Sequence, residues 1–240
     1  MKRTFFTFLI VIFLVTITTL STLLILDSKG GAYHPTTDSQ EDMLHTIMDT
    51  VWPAIVSIYG TASGKDEITT RQWTGIIVQS DGIILTNKHL TSEWFTYTIQ
   101  LNDTTKMSAI VIKSHPTLDL ALLKIVSDHP LSLPVGVFVT SQAGVRSGDT
   151  VISISNALGL YPQSISQGIV SGINRTVSLG ADTMTGLIQT SSPLSLWSSG
   201  GPLIKKDGKI IGINTGIVWG SSQIGWTLPL TQNEVDSFLQ

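Results

Sequence analysis

Beyond Pro53 the chain alternates short apolar or β-branched runs with turn residues, and this pattern predicts strands. The runs have the length of ordinary strands, and no segment with helical periodicity interrupts them. The predicted strands fall into two sets, at 54–59, 73–79, 82–86, 97–101, 109–114 and 121–126, and then at 150–155, 164–173, 187–190, 202–205, 209–217 and 224–228.

One segment in the first set of predicted strands is similar in sequence to one segment in the second set. Residues 75–86 and 201–212 share their glycines, an Asp-Gly pair and their apolar positions, and Asp-Gly is a typical hairpin turn. Chains with many short strands close into sandwiches or barrels that hide the sheet edges. We therefore predict an all-β, duplicated architecture, in which the Pro- and Gly-containing segment 126–151 connects the two halves.

A short helix is predicted just before the strands. Apolar residues recur there at helical spacing, and Pro53 ends the pattern. The preceding segment 27–38 contains Gly, Ser, Thr and Asp with one Pro, as is typical of a linker.

The N-terminus is typical of a membrane anchor. Lys2 and Arg3 precede an uncharged run from Phe5 to Leu26, which at about 1.5 Å per residue can cross a hydrocarbon core of about 30 Å as a helix. The run is longer than that of a usual cleaved signal and lacks a small-x-small site, although cleavage remains the alternative. Because the positive charges favour the cytoplasmic side, we predict a cytoplasmic 1–4, a transmembrane helix at 5–26 and an extracytoplasmic remainder, at the cell surface or in the periplasm.

Composition excludes several classes of protein. The 240 residues are 42% hydrophobic and 13% charged, enough to bury a large core, and the net charge of −3 gives no basic surface for nucleic acid. The chain has no cysteine, which excludes a thiol nucleophile, a disulfide framework and a thiolate metal site. His34, His45, His115 and His129 show no metal-ligand spacing, so we expect no metal and no cofactor and treat these histidines as structural or solvated.

Three separate residues could form a nucleophilic site. Ser199 lies before two glycines and a proline, in a tight loop that could turn backbone amides toward a ligand. His89 follows an apolar strand, and Asp119 is a lone carboxylate in an apolar segment that needs a partner. Each alone is more often a turn residue. Together they occur in the chain order His, Asp, Ser, which is the order of chymotrypsin.

These residues sit in motifs that resemble the trypsin-like serine proteases of the HtrA (DegP/DegS-like) family. The resemblance runs from about Trp52 to Pro229, and the motifs follow the family's order at compatible spacing. They are Thr74-Gly75-Ile76-Ile77, Leu85-Thr86-Asn87-Lys88-His89, Leu118-Asp119-Leu120-Ala121-Leu122-Leu123-Lys124, Gly168-Ile169-Val170-Ser171, Ile188-Gln189-Thr190, Ser199-Gly200-Gly201-Pro202-Leu203 and Ile211-Gly212-Ile213-Asn214-Thr215.

The resemblance implies a two-barrel chymotrypsin/trypsin-like fold, with the active site between the barrels. The protease domain would span 39–240, with a first barrel at about 52–128 and a second at about 149–230. His89 would be the general base, Asp119 would orient it, and Ser199 would be the nucleophile.

The resemblance also implies the remaining parts of the site. The oxyanion hole would use the backbone of Trp197, Ser198 and Ser199. A substrate pocket with no acidic group, selective for small or medium apolar side chains, would be lined by Leu194, Ile213, Asn214 and Thr215.

The same family suggests the partners. Substrates would be polypeptides, either unfolded or close to the membrane, and the assembly would be the homotrimer common in the family. Since the sequence ends at Gln240, we expect no PDZ domain.

The sequence departs from the family directly before the nucleophile. Trp197-Ser198 replaces the usual Gly-Asn, and a side chain at the first position restricts the backbone turn that forms the oxyanion hole. Losing one oxyanion donor lowers turnover by about 10²- to 10³-fold. The alternative hypothesis is therefore a catalytically silent protease-like module that binds unfolded segments or partner proteins. A non-enzymatic β-rich envelope protein would leave the ordered triad as coincidence.

Overall fold

The structure is a computed structural model that describes residues 38–63, 68–102, 104–157, 161–179, 182–217 and 223–240. The predicted cytoplasmic N-terminus, the anchor at 5–26 and the linker up to residue 37 lie outside the described residues. Within the described ranges, no helix combines the length and apolarity that a membrane crossing requires. The chain divides into the units Met1–Gln40 and Glu41–Gln240, and both barrels belong to the second.

Within the described ranges, two α-helices flank the strands. Helix α1 covers Asp38–Thr50, a 3₁₀ turn containing Pro53 covers Trp52–Ala54, and helix α2 covers Gln232–Leu239. The strands are β1 Ile55–Ser63, β2 Ile68–Gln79, β3 Ile83–Thr86, β4 Thr96–Gln100, β5 Lys106–Ser114, β6 Ala121–Ile125, β7 Thr150–Ala157, β8 Tyr161–Leu179, β9 Asp182–Thr190, β10 Pro202–Lys205, β11 Ile210–Ile217 and β12 Gly225–Pro229.

Each set of strands closes into its own antiparallel barrel. The first has the order β1-β2-β3-β6-β5-β4, and the second has the order β10-β11-β12-β9-β8-β7. Read backwards from β7, the second order is β7-β8-β9-β12-β11-β10, which is the order of the first barrel with each strand number raised by six. Because both barrels are closed, neither sheet has an open edge. The prediction of an all-β, two-barrel chymotrypsin/trypsin-like fold is confirmed.

The internal repeat in the sequence does not mark equivalent hairpins. Both Asp-Gly pairs form turns, with Gly82 at φ +96° between β2 and β3 and Gly208 at φ +78° between β10 and β11. In the repeated strand order, however, β10 and β11 correspond to β4 and β5 rather than to β2 and β3. The similarity therefore reflects the common requirements of a tight hairpin, not a shared position in the barrel.

Strand β2 shows how residue alternation joins the two barrels. Trp73 and Ile77 pack in the cluster inside the first barrel, whereas Ile76 belongs to a second cluster that also contains residues of the other barrel. Successive side chains of a strand point to opposite faces, so Thr74 shares the outward face with Ile76. This face of β2 carries the loop that contains Ser199.

The cluster between the barrels also receives both helices. Ile47 of α1, Val51 directly after it, and Val235 and Phe238 of α2 are buried in it. Helix α2 was not predicted, although Thr231 and Glu234 form a capping box whose sequence pattern is a recognised start signal.

Candidate functional site

His89 lies on a short turn at the end of β3. The turn Lys88–Leu90 is a 3₁₀ helix, in which Thr91 N donates to Lys88 O. Leu90 is buried in the first barrel and fixes the turn, while the His89 side chain remains 47% exposed. The backbone of His89 is therefore fixed by the turn, while its imidazole ring is accessible to a ligand.

Asp119 lies in the loop between β5 and β6 and contacts His89 twice. His89 Nδ1 is 2.7 Å from Asp119 Oδ2, and the His89 backbone N–H donates to Asp119 Oδ1 at 2.9 Å. Only 15% of the Asp119 side chain is exposed. Two-point attachment restrains the orientation of the imidazole. The structure thus brings to hydrogen-bonding distance the two residues that the sequence analysis selected.

Two further side chains fix Asp119. Thr215 Oγ1 donates to Asp119 Oδ2 at 2.5 Å, and Asn87 Nδ2 donates to the Asp119 carbonyl at 3.0 Å and to Thr215 Oγ1 at 3.2 Å. Both residues are nearly inaccessible to solvent, since Thr215 is 5% exposed and Asn87 is 0% exposed. Neither was predicted for this role.

A β-bulge explains why Thr215 faces Asp119. In the pairing of β11 with β12, Asn214 is opposite Thr227 and Gly216 is opposite Trp226, so Thr215 is the extra residue. A bulge redirects the side chain that it contains. The alternation of side chains expected for a regular strand does not predict this orientation of Thr215.

Ser199 lies on a loop clamped between the barrels. Thr74 N of β2 donates to Ser199 O at 3.2 Å, and Gly200 N donates to Asn214 O of β11 at 2.9 Å. Gly200 has φ +85°, and a Cβ there would lie 2.0 Å from Thr74 O and 2.4 Å from Thr86 Oγ1. Thr86 is three residues before His89, so the loop is seated beside the histidine turn.

The residues before Ser199 form a closed turn. Leu196–Ser198 is a 3₁₀ helix in which Ser198 N donates to Ser195 O at 2.9 Å, and Ser198 Oγ accepts from Ser195 N at 3.0 Å. Thr74 Oγ1 donates to the Trp197 carbonyl at 3.0 Å. The Ser199 hydroxyl makes no hydrogen bond to any other residue that the structure describes, His89 included.

The residues predicted for the substrate pocket lie in different surroundings. Ile213 is fully buried in the cluster between the barrels, and the Asn214 side chain bonds Ser153, Pro202 and Thr227 inside the second barrel. Leu194 is 7% exposed and packs over Gly225.

A cleft of about 950 Å³ opens beside His89 and Asp119, and Ser199 is not among the residues that line it. The first barrel contributes His89, Asp119 and Leu118, and strand β9 of the second contributes Thr183 and Met184. Within the described residues, no three His, Cys, Asp or Glu side chains come together as metal ligands. The arrangement places an oriented imidazole next to this cleft.

Comparison with known proteins agrees with this geometry. Residues 73–213 match the family described as Trypsin-like peptidase domain. The Serine protease Do-like HtrA of Bacillus subtilis (strain 168) is 36% identical over 168 residues, covering 66% of this chain and 37% of the relative. The Probable periplasmic serine endoprotease DegP-like of Rickettsia conorii is 37% identical over 145 residues, covering 60% of this chain and 28% of the relative.

A solved structure is similar as well. The HtrA-type protease AlgW with tripeptide has a TM-score of 0.68 and 30% sequence identity, covering 80% of this chain and 61% of that one. The chain thus spans well under half the length of the two curated relatives. On its fold, its motifs and these matches, the chain belongs to the HtrA family of trypsin-like serine proteases.

Proposed function

We propose that this chain is an extracytoplasmic serine endopeptidase in which His89, Asp119 and Ser199 form the catalytic triad. The observation that carries the proposal is the double attachment of His89 to Asp119, through the ring nitrogen at 2.7 Å and the backbone amide at 2.9 Å. A carboxylate that holds both the ring and its backbone serves to orient the imidazole.

The pairing determines how the proton moves. With the Nδ1 proton donated to Asp119, the neutral ring keeps Nε2 as an acceptor. His89 Nε2 takes the Ser199 proton as the hydroxyl attacks a peptide carbonyl, and then returns it to the leaving amine. Asp119 stabilises the imidazolium that forms between these steps. Water then repeats the sequence on the acyl-enzyme and releases the second product.

The oxyanion that forms during attack needs backbone donors. The amides of Trp197 and Ser199, with Ser198 between them, are the donors that we assign to it. The Trp197 carbonyl is bound to Thr74, which restrains the peptide that follows Trp197. This restraint links the activity of the loop to a contact with the first barrel.

A second candidate function is a silent binding module. Two observations favour it: the Ser199 hydroxyl lacks a hydrogen bond to His89, and the segment before it is a closed 3₁₀ turn. Catalytic hydrogen bonds are often long until substrate binds, so a resting protease can also lack the bond from Ser199 to His89.

The proposals for location and substrate are supported by the sequence and by the relatives. The uncharged segment 5–26 supports a single-pass anchor with a cytoplasmic N-terminus, and the name of the Rickettsia conorii relative describes that protein as periplasmic. We propose that substrates are unfolded or membrane-adjacent polypeptides, and that the chain works as a homotrimer.

The residue before the scissile bond is proposed to be small or medium and apolar. Leu194 and the segment Ile211 to Thr215 carry no acidic group, so nothing there would pair with Lys or Arg. Mapping the cleavage sites in an unfolded protein tests this, and a majority of basic residues would contradict it.

A fluorophosphonate probe tests the triad itself. The full-length chain in detergent, with an unfolded protein present, is expected to be labelled at Ser199, and Ser199→Ala and His89→Ala are expected to abolish labelling. His129→Ala is the matched control, because among the described residues the hydrogen bonds of His129 are local ones, between its backbone and the Ser127 hydroxyl. Absence of labelling in a folded protein would favour the silent module.

A further inference from the structure

The loop that carries Asp119 is closed by its own first residue. Six residues, His115 to Leu120, connect β5 to β6, since Ser114 pairs with Ala121. His115 N donates to Leu120 O at 2.8 Å, which closes the loop at its base. The backbone between these ends forms a series of bends that places Asp119 beside His89.

The His115 side chain organises these bends. Its Nδ1 lies 3.2 Å from Thr117 N and 2.9 Å from Leu118 N, and both amides donate to it. A nitrogen that accepts two N–H groups carries no proton, so the ring proton is on Nε2. Asp and Asn side chains cap turns in this way, through an oxygen that accepts from backbone amides two or three residues on. Here an imidazole nitrogen takes that role.

The ring is held in place from the other side by helix α2. His115 and Phe238 have ring centroids 5.2 Å apart, and Lys113 Nζ lies 5.4 Å from the centroid of Phe238. Lys88 Nζ donates to the His115 carbonyl at 3.0 Å, which ties this loop to the turn of His89. Among the ion pairs of the described residues, none joins a carboxylate to His115.

We propose that His115 is a positioning residue, which caps through its unprotonated Nδ1 the turn that presents Asp119 to His89. The proposal rests on the proposed function of Asp119 and His89. Without the acceptor, the amides of Thr117 and Leu118 lose their partner directly before Asp119. The carboxylate then loses its fixed position, and His89 loses its orientation.

Two substitutions of His115 distinguish the role of its hydrogen-bond acceptor from the role of its ring. Asn Oδ1 is bonded to Cγ as His Nδ1 is, so His115→Asn keeps an acceptor at the same position but removes the ring that packs on Phe238. His115→Phe keeps a ring against Phe238 but has no acceptor. If His115 acts by capping, the Asn variant stays active and the Phe variant does not.

The activity measurement uses the full-length chain and a peptide substrate. His115→Asn is expected to retain kcat within about threefold, while His115→Phe is expected to lower kcat by about tenfold or more with little change in KM, since misplacing a catalytic group affects the reaction more than binding. Loss of activity in His115→Asn with full activity in His115→Phe would overturn the proposal, because the ring packing would then be what matters. Equal activity in both variants would overturn it too.

A spectroscopic readout keeps this test independent of the proposed function. The His89 Nδ1 proton, bonded to Asp119, gives a low-field proton resonance that is identified by its loss in His89→Ala. We expect the resonance in the wild type and in His115→Asn, and its loss or broadening in His115→Phe. If no form of the protein is catalytically active, this resonance still reports whether His115 positions Asp119. An unchanged resonance in a folded His115→Phe variant would refute the inference.

Discussion

The Thr215 hydroxyl of the second barrel donates to Asp119 Oδ2 of the first barrel at 2.5 Å. The same oxygen is 2.7 Å from His89 Nδ1, so one carboxylate atom joins the histidine to the opposite barrel. Correct orientation of His89 therefore depends on correct seating of the two barrels. This relationship leads to the first prediction.

Replacing Thr215 by Val keeps the shape of the side chain and removes the donor. Because a hydrogen bond to a charged group contributes about 1.5–3 kcal/mol, we expect kcat/KM to fall by roughly tenfold or more. Thr215→Ser keeps the hydroxyl and is expected to remain within about threefold of the wild type. Steady-state kinetics on a peptide substrate measures both, and equal activity of the two variants would contradict the role of this hydrogen bond.

The second prediction concerns Gly200. Its φ of +85° is unfavourable for residues with a Cβ, and in Gly200→Ala that Cβ would lie 2.0 Å from Thr74 O. We expect loss of probe labelling at Ser199 and a fall in the free energy of unfolding of more than about 2 kcal/mol.

Gly144→Ala is the matched control for this change. Nothing lies within 4 Å of a Cβ at Gly144, and its φ is not positive, so we expect labelling and stability to stay at wild-type values. Urea unfolding followed by tryptophan fluorescence measures the stability of each variant. A Gly200→Ala protein as stable as Gly144→Ala would show that the loop can move away from β2.

All twelve strands of the described residues and both tight hairpins could be predicted because their signals are local. Alternating or continuous apolar runs mark strands, and the Asp-Gly pairs ending in Gly82 and Gly208 mark turns. His89 and Asp119 were predicted from their motifs, and the structure brings them to hydrogen-bonding distance.

The features that could not be predicted depend on distant parts of the chain. Thr215 faces Asp119 because a bulge in β11 turns it, and the bulge is visible only in the pairing with β12. His115 was treated as structural or solvated, and its contact with Phe238 requires the docking of α2. The repeat between the hairpins suggested equivalent positions in two barrels, but the hairpins are not equivalent, because tight turns have similar sequences wherever they occur.

The third prediction is a pH effect on stability at Asp149. The backbone N–H of Arg146 and, secondarily, Lys205 lower the pKa of Asp149 below its ordinary value. A carboxyl whose pKa is lower in the folded state stabilises the fold above its unfolded pKa, and this contribution disappears as the pH falls through the folded pKa. We therefore expect Asp149→Asn to be less stable than the wild type at pH 7, by on the order of 1 kcal/mol. The difference should begin to shrink near the unfolded pKa of about 3.9 and disappear only as the pH falls through the lower pKa of the folded state.

Asp81→Asn provides the comparison for Asp149→Asn. Asp81 also pairs with a lysine, Lys124 at 2.8 Å, but 59% of its side chain is exposed, against 20% for Asp149. Exposed ion pairs contribute little, so we expect a change of less than about 0.5 kcal/mol at either pH. Urea unfolding at pH 7 and at acid pH measures both variants. A pH-independent difference for Asp149→Asn would mean that its effect does not come from the carboxylate charge.

The last prediction concerns the two residues before Ser199. Trp197-Ser198 lies in a 3₁₀ turn fixed by Ser195 and by the bond from Thr74 to the Trp197 carbonyl, and glycine at the first position would let that peptide reorient. We expect the double variant Trp197→Gly, Ser198→Asn to label faster with the fluorophosphonate probe, by up to the roughly 10²-fold that one oxyanion donor contributes. Ser198→Asn alone disturbs the buried side chain without freeing residue 197, so it should show no such gain. If the double variant is folded and labels no faster, Trp197 is not what limits the oxyanion hole.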